Sequence, residues 1–149
     1  NIDFNFFFQG TADAHRVIGN STIFLPGSGT TVQGNAYSEN LDDRWTDDNQ
    51  DPYAFWPRLT YGPNKNNYRA STYWLRNGSY IRLKNVELGY SIPKRFVNKL
   101  HLDRVRLYLM GTNLLTFSDF KLWDPELGSS NGQQYPLSRT VTIGLTVGI

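Results

Sequence analysis

The chain has 149 residues, a formal net charge of +2 and no cysteine. The lack of cysteine excludes disulfide frameworks and thiolate metal sites, and the small charge gives no argument for a nucleic-acid partner. The sequence contains no apolar run long enough for a transmembrane helix, although a membrane β-barrel strand needs only about nine to eleven alternating residues. Because both ends already lie in strand patterns, we expect a piece of a longer chain.

Four segments alternate apolar and polar residues with the period of two that is typical of β-strands. They lie near residues 2–10, 80–91, 103–114 and 138–149. In the last and clearest segment, threonine and glycine alternate with Val141, Ile143, Leu145, Val147 and Ile149. Because sequential strands usually pair, the sequence predicts one antiparallel all-β sheet in chain order.

The connections between these strands differ greatly in length. A short one near 92–102 joins the second and third strands, and a longer one near 115–137 joins the third and fourth. The connection near 11–79 is far longer than is usual in compact domains, where such loops are often functional. Short turns on one side and long loops on the other are typical of outer-membrane barrels.

Residues able to carry chemistry are sparse. His15 and His101 fit neither a metal-ligand nor a catalytic-triad spacing. Asp47, Asn49 and Asp51 are spaced as in calcium loops, but proline replaces the required glycine and no glutamate follows at the twelfth position. We therefore expect no enzyme, no cofactor and no metal site. For the acidic turn we expect solvated carboxylates, and the alternative is that the turn binds calcium.

Aromatic residues and arginine crowd part of the longest loop. Flat aromatic faces stack on sugar rings or pack against proteins, and Trp and Arg lead among interface hot spots. The residues that could face a ligand or a partner are Trp45, Tyr53, Trp56, Arg58, Trp74 and Trp123. The alternative is that these side chains form a small core of the loop itself.

Several motifs in a fixed order carry a family resemblance. STYWLRNGSYIRLKNVELGYSIPKRF at 71–96 is followed by RVRLYLMGTNLLTFSDFKLWDPEL at 104–127 and YPLSRTVTIGLTVGI at 135–149. Upstream, DFNFFFQG at 3–10 and RWTDDNQDPYAFWPRL at 44–59 fit the preceding strand and loop. Together these segments resemble the C-terminal part of SusC/RagA-type TonB-dependent outer-membrane transporters.

The resemblance implies a plugged transmembrane barrel of about 22 strands, of which this chain would supply the last four. The loops near 11–79 and 115–137 would be extracellular and the turn near 92–102 periplasmic. The apolar stripe of the last strand would face lipid, and its threonine stripe the lumen. One departure is the final Ile149, where such barrels commonly end in an aromatic residue.

The implied function is import of a bulky nutrient, an oligosaccharide or a peptide, into a Gram-negative, Bacteroidetes-like cell across its outer membrane. The implied partners are a SusD-like surface lipoprotein, outer-membrane lipid, and TonB, which would be contacted through an N-terminal part outside this chain. Two alternatives remain from the residues alone. One is a soluble β-sandwich carbohydrate-binding module, and the other is a β-rich glycoside hydrolase with a carboxylate pair across a cleft.

The strand near 80–91 changes its apolar rhythm halfway, from odd positions to even ones. Its apolar residues are Ile81, Leu83, Val86, Leu88 and Tyr90. In a regular strand Arg82 and Lys84 would share a face with the last three, and a charge at the bilayer midplane costs about 2–4 kcal/mol. We therefore expect either that 80–84 stands above the membrane or that a β-bulge near Asn85 resets the register.

Overall fold

The structure is a computed structural model that describes residues 1–18, 38–60, 64–67 and 69–149. The chain divides into two compact units. The first consists of Asn1–Ala14, Asn77–Leu127 and Tyr135–Ile149. The second consists of His15–Arg76 and Gly128–Gln134. Helices long and apolar enough to cross a membrane are absent from the described ranges.

Strands dominate the secondary structure. The elements in chain order are β1 (Ile2–Thr11), β2 (His15–Val17), α1 (Glu39–Asp42), a 3-10 helix (Thr72–Trp74), β3 (Leu75–Asn77), β4 (Tyr80–Ser91), α2 (Lys94–Val97), a second 3-10 helix (Asn98–Leu100), β5 (Arg104–Ser118) and β6 (Thr140–Gly148). The strands β1, β4, β5 and β6 form one antiparallel sheet in that order, and β2 pairs with β3. The predicted antiparallel sheet in chain order is therefore confirmed.

The third predicted strand is longer than its sequence pattern suggested. The pattern predicts an end near 114 and a loop from 115, but β5 continues to Ser118. Asn113 adopts a left-handed conformation with φ of 52° inside the strand. Asparagine tolerates this conformation better than most residues, so the Gly-Thr-Asn sequence produces a local irregularity and the strand continues beyond it.

The register change predicted for β4 is present. Leu83 lies opposite Phe8 of β1, and Asn85 lies opposite the adjacent Phe7, so Lys84 is an extra residue in this pairing. The pairing of β4 with β5 shifts between the same two residues. Of the two explanations for the broken apolar rhythm, the β-bulge near Asn85 is confirmed.

The bulge gives the sheet one continuous apolar face. Residues directly opposite each other in antiparallel strands point to the same side. One row across the sheet consists of Phe4, Leu88, Leu109 and Ile143. These four residues are between 46% and 76% exposed. The flanking rows on the same face are Ile2, Tyr90, Leu107 and Leu145, and Phe6, Val86, Gly111 and Val141.

The opposite face is polar and carries an ion network across three strands. The Arg106 guanidinium on β5 donates hydrogen bonds to Asp3 on β1 and to Glu87 on β4. Gly89 leaves room for this guanidinium, because a Cβ at that position would collide with it. A Cβ at Gly144 would likewise collide with the ring of Tyr108. Glycine at these two positions therefore allows large polar side chains to lie flat on the sheet.

Candidate functional site

The second unit has its own small aromatic core. Trp56 and Trp74 are only 2% and 5% exposed, and their ring centroids lie 6.3 Å apart. Tyr73 meets Trp74 edge to face, and its hydroxyl donates to the Ala54 carbonyl at 3.0 Å. The indole N–H of Trp74 donates to the Asn67 carbonyl at 3.1 Å. Trp56 and Trp74 thus form the packing of the loop, and little of either side chain is exposed.

Arg76 holds one side of this core. Its guanidinium lies 4.3 Å from the centroid of the Phe55 ring and donates to the Phe55 carbonyl at 3.0 Å. Burial disfavours the charged forms, so it raises the pKa of the Tyr73 phenol and lowers the pKa of Arg76.

Three of the candidate residues remain accessible. Trp45 and Arg58 line an open cavity of about 340 Å³ together with Asp51, whereas Tyr53 projects into solvent with 91% exposure. The Arg58 guanidinium lies 5.8 Å from the centroid of the Trp45 ring. An indole face beside a guanidinium and a carboxylate can stack on a flat ring and hydrogen-bond its polar groups. This arrangement suits a sugar, an aromatic peptide side chain or a partner protein.

The acidic turn is held together by its own contacts. Asp47 forms an ion pair with Arg58 at 3.2 Å, and the Asp51 carboxylate accepts the backbone N–H of Tyr53 at 2.8 Å. The backbone N–H of Asn49 donates to the Thr46 hydroxyl at 2.9 Å. Within the described ranges, no group of three or more His, Cys, Asp or Glu residues is arranged to hold a metal ion.

Trp123 belongs to the first unit, where it anchors the segment after β5. Its ring packs edge to face on buried Phe120 at a centroid distance of 4.7 Å. The structure therefore does not bring the six candidate residues into one site. Two form a core, two line an open cavity, Tyr53 projects into solvent, and Trp123 packs on its own segment.

An ion network that sequence reasoning missed ties this segment to β4. Arg82, whose side chain is 2% exposed, lies 2.5 Å from Asp124 and 3.5 Å from Glu126. Glu126 also pairs with Lys84 at 2.6 Å. The sequence does contain a signal for this ion network. Two basic residues lie on a strand that resets its register, and an acidic pair follows the next strand. We call these four residues the β4 latch.

The latch keeps Asp124 ionised. Burial, the largest single effect, would raise the pKa of this carboxyl, but hydrogen bonds from Arg82 and from the backbone N–H of Glu126 lower it. Together with the positive charges of Arg82 and Lys84, they hold the pKa of Asp124 below its usual range. The ion pair is therefore fully formed at neutral pH.

Trp56→Ala is expected to unfold the second unit locally, whereas Tyr53→Ala is expected to leave it folded. The first change removes a buried indole, which typically costs about 3–5 kcal/mol, and the second removes an exposed ring. Limited proteolysis of the full-length protein should show new cleavage within 38–60 for Trp56→Ala alone. Equal protection of both variants would contradict the aromatic core.

Comparison with known proteins identifies the family. No family model matches the chain. TonB-dependent receptors P26 and P3 of Formosa agariphila are 36% and 34% identical, each over 99% of this chain. The chain spans 15% of the length of these curated relatives.

The fold also matches solved transporter structures over almost the whole length of this chain. The RagAB peptide importer in its open-open state is 29% identical, with a TM-score of 0.73 over 99% of this chain and 16% of that chain. In the closed-closed state the identity is 30% and the TM-score 0.70, again over 99% of this chain and 16% of that chain. Because sequence and fold agree along almost the whole chain, it belongs, as one segment, to the SusC/RagA-type TonB-dependent receptor family.

Proposed function

We propose that this chain forms part of the barrel wall and outer vestibule of a TonB-dependent transporter in the outer membrane. The whole protein would import a bulky nutrient, an oligosaccharide or a peptide, together with a SusD-like surface lipoprotein. Capture would occur outside the cell, a plug beyond this chain would be rearranged through TonB, and the nutrient would leave into the periplasm. The proposal includes no catalytic step.

The continuous apolar face of the four-stranded sheet carries this proposal. Its rows of Phe, Ile, Leu and Val side chains are exposed across β1, β4, β5 and β6. Soluble monomers rarely expose apolar patches larger than a few hundred Å². The strands β4 and β5, with 12 and 15 residues, are longer than the about 9–11 residues that a tilted membrane strand needs. Lipid on this face explains both observations.

The polar face would then line the lumen. Arg106, Asp3 and Glu87 form their ion network there, and charged groups in a membrane protein are stable when they are paired and face a polar interior. The edges of the sheet, β1 and β6, would pair with further strands of the barrel, because an open edge cannot be satisfied inside lipid.

The long loops would form the vestibule, where the receptor would bind its cargo and contact the lipoprotein. The cavity beside Trp45 and Arg58 offers an aromatic face with charged neighbours, which suits either nutrient class. The solved relatives are described as peptide importers, which favours including peptides among the cargo to be tested. Uptake of labelled oligosaccharides and peptides by cells with and without the full-length gene, and with and without TonB, would identify the class.

Adjacent cysteines on the two faces test the membrane assignment directly. These 149 residues contain no cysteine, so Ile143→Cys and Thr142→Cys can each be labelled with a fluorophore in a full-length receptor whose cysteines elsewhere are replaced by serine. We expect lipid-borne quenchers to act on the label at 143 and aqueous quenchers to act on the label at 142. Equal aqueous quenching at both positions would contradict a lipid-facing sheet.

A further inference from the structure

The connection between β4 and β5 packs against one end of the sheet. The helix α2 packs against β5, and its Val97 is buried. Val105, the first apolar-face residue of β5, is 9% exposed, whereas Leu107, the next residue on the same face, is 49% exposed. We infer from this difference that α2 covers Val105 at the end of the apolar face.

Backbone hydrogen bonds fix this connection at both ends. The N–H of Ile92 donates to the Val105 carbonyl at 2.9 Å, and the N–H of Asp103 donates to the Gly148 carbonyl at 2.9 Å. His101 adopts a left-handed conformation with φ of 54°, which ends the second 3-10 helix. The connection is therefore a compact turn attached to the sheet at β5 and β6.

The outer surface of this turn is basic. Residues 92–104, which we call the basic turn, contain four basic side chains and one acidic side chain. The basic residues, all exposed, are Lys94, Arg95, Lys99 and Arg104. The exposed ring of Phe96 lies among them, with the Arg95 guanidinium 4.6 Å from its centroid. An exposed aromatic ring bordered by cations at the end of an apolar band is typical of a membrane interface.

We propose that the basic turn binds the anionic headgroups of phospholipids in the periplasmic leaflet. The inference rests on the proposed function, because it requires the apolar face to lie in a bilayer. Short connections of outer-membrane barrels lie on the periplasmic side, where the leaflet is made of phospholipid. Phe96 would enter the boundary between headgroups and acyl chains, while Lys94, Arg95 and Lys99 would contact phosphates.

The position of the turn favours a lipid headgroup over an acidic protein segment. A turn that only met proteins in the periplasm would gain nothing from lying over the apolar face or from an exposed ring there. Because α2 covers the end of that face, its cations lie at the level where a bilayer presents its phosphates. The positive charge of the turn and its position at the end of the apolar face therefore both indicate an anionic lipid headgroup as the ligand.

The test compares two charge-matched variants of the full-length receptor. The triple variant Lys94→Gln, Arg95→Gln, Lys99→Gln removes three charges from the basic turn. The control Lys65→Gln, Arg69→Gln, Arg139→Gln removes three exposed charges elsewhere. Each is reconstituted into vesicles of phosphatidylcholine and phosphatidylglycerol, extracted, and analysed by native mass spectrometry for retained phosphatidylglycerol.

We expect the turn variant to retain several-fold less phosphatidylglycerol than the wild type, and the control to match the wild type. Equal retention by the turn variant, or an equal loss in the control, would overturn the inference. So would displacement of phosphatidylglycerol from the wild type by inorganic phosphate, lipopolysaccharide or an acidic peptide. Failure of the wild type to insert into vesicles would instead refute the proposed function and the inference with it.

Discussion

Leu145→Arg in the full-length receptor is expected to reduce its assembly into the outer membrane strongly. Leu145 lies on the apolar face, opposite Leu107 of β5 and one row from the end of that face, and its side chain is exposed. An arginine on the lipid face costs about 2–4 kcal/mol at the midplane and less towards the headgroups, a substantial share of the stability of an ordinary domain. The measurement is the amount of folded receptor in outer-membrane fractions.

Thr142→Arg is the matched control on the same strand. Thr142 lies on the polar face opposite Met110, so an arginine there would point into the lumen. Thr146 is a less suitable control, because it lies opposite Arg106 and an added arginine would repel that residue. We expect normal assembly of Thr142→Arg with altered passage through the pore. Equal loss of both variants would contradict the assignment of the faces.

Arg82→Met is expected to release the segment 119–127 from the sheet. The change leaves the Asp124 and Glu126 carboxylates of the β4 latch without their buried guanidinium partner. Removing one member of a buried ion pair costs about 3–5 kcal/mol, and we expect the lower end because both carboxylates are partly exposed. At about 3 kcal/mol, hydrogen exchange in this segment should accelerate by about two orders of magnitude.

Two further variants separate the latch from a general loss of packing. Lys121→Met changes an exposed residue of the same segment and should alter exchange little. Adding Asp124→Asn and Glu126→Gln to Arg82→Met removes the unpaired charges and should restore part of the protection. If the combined variant exchanged as fast as Arg82→Met alone, the ion pairs would not be what holds the segment.

The latch also sets the acid response of the segment. The pKa of Asp124 in the folded protein lies below its unfolded value, which is about 3.9. The pair therefore contributes stability above the unfolded value and loses it as the pH falls through the folded pKa. The free energy of local opening of 119–127, obtained from exchange rates corrected for their intrinsic pH dependence, should stay constant from about pH 7 to about pH 5 and fall only below about pH 4. In Arg82→Met the unpaired Asp124 and Glu126 carboxylates would gain protons as the pH falls, so this acid-induced loss should be smaller or reversed.

The sequence by itself determined the strands, their order and the family. Alternation is a local pattern, and it located β1, β4 and β6 within a few residues. The broken rhythm between Leu83 and Val86 also indicated the bulge, since a strand with one buried or lipid-facing side must keep its apolar residues on that side. The order of the motifs was enough to identify the family, because the order of motifs along a chain does not depend on how the loops pack.

Only the tertiary structure decided which side chains are accessible and which charges meet. Trp45 and Trp56 look alike in sequence, yet one lines a cavity and the other is buried. Arg82 and Asp124 lie 42 positions apart, and their pairing depends on where a loop returns over a strand. Burial and long-range ion pairing result from contacts between distant segments, so a local pattern can offer candidate charges but does not specify which of them meet.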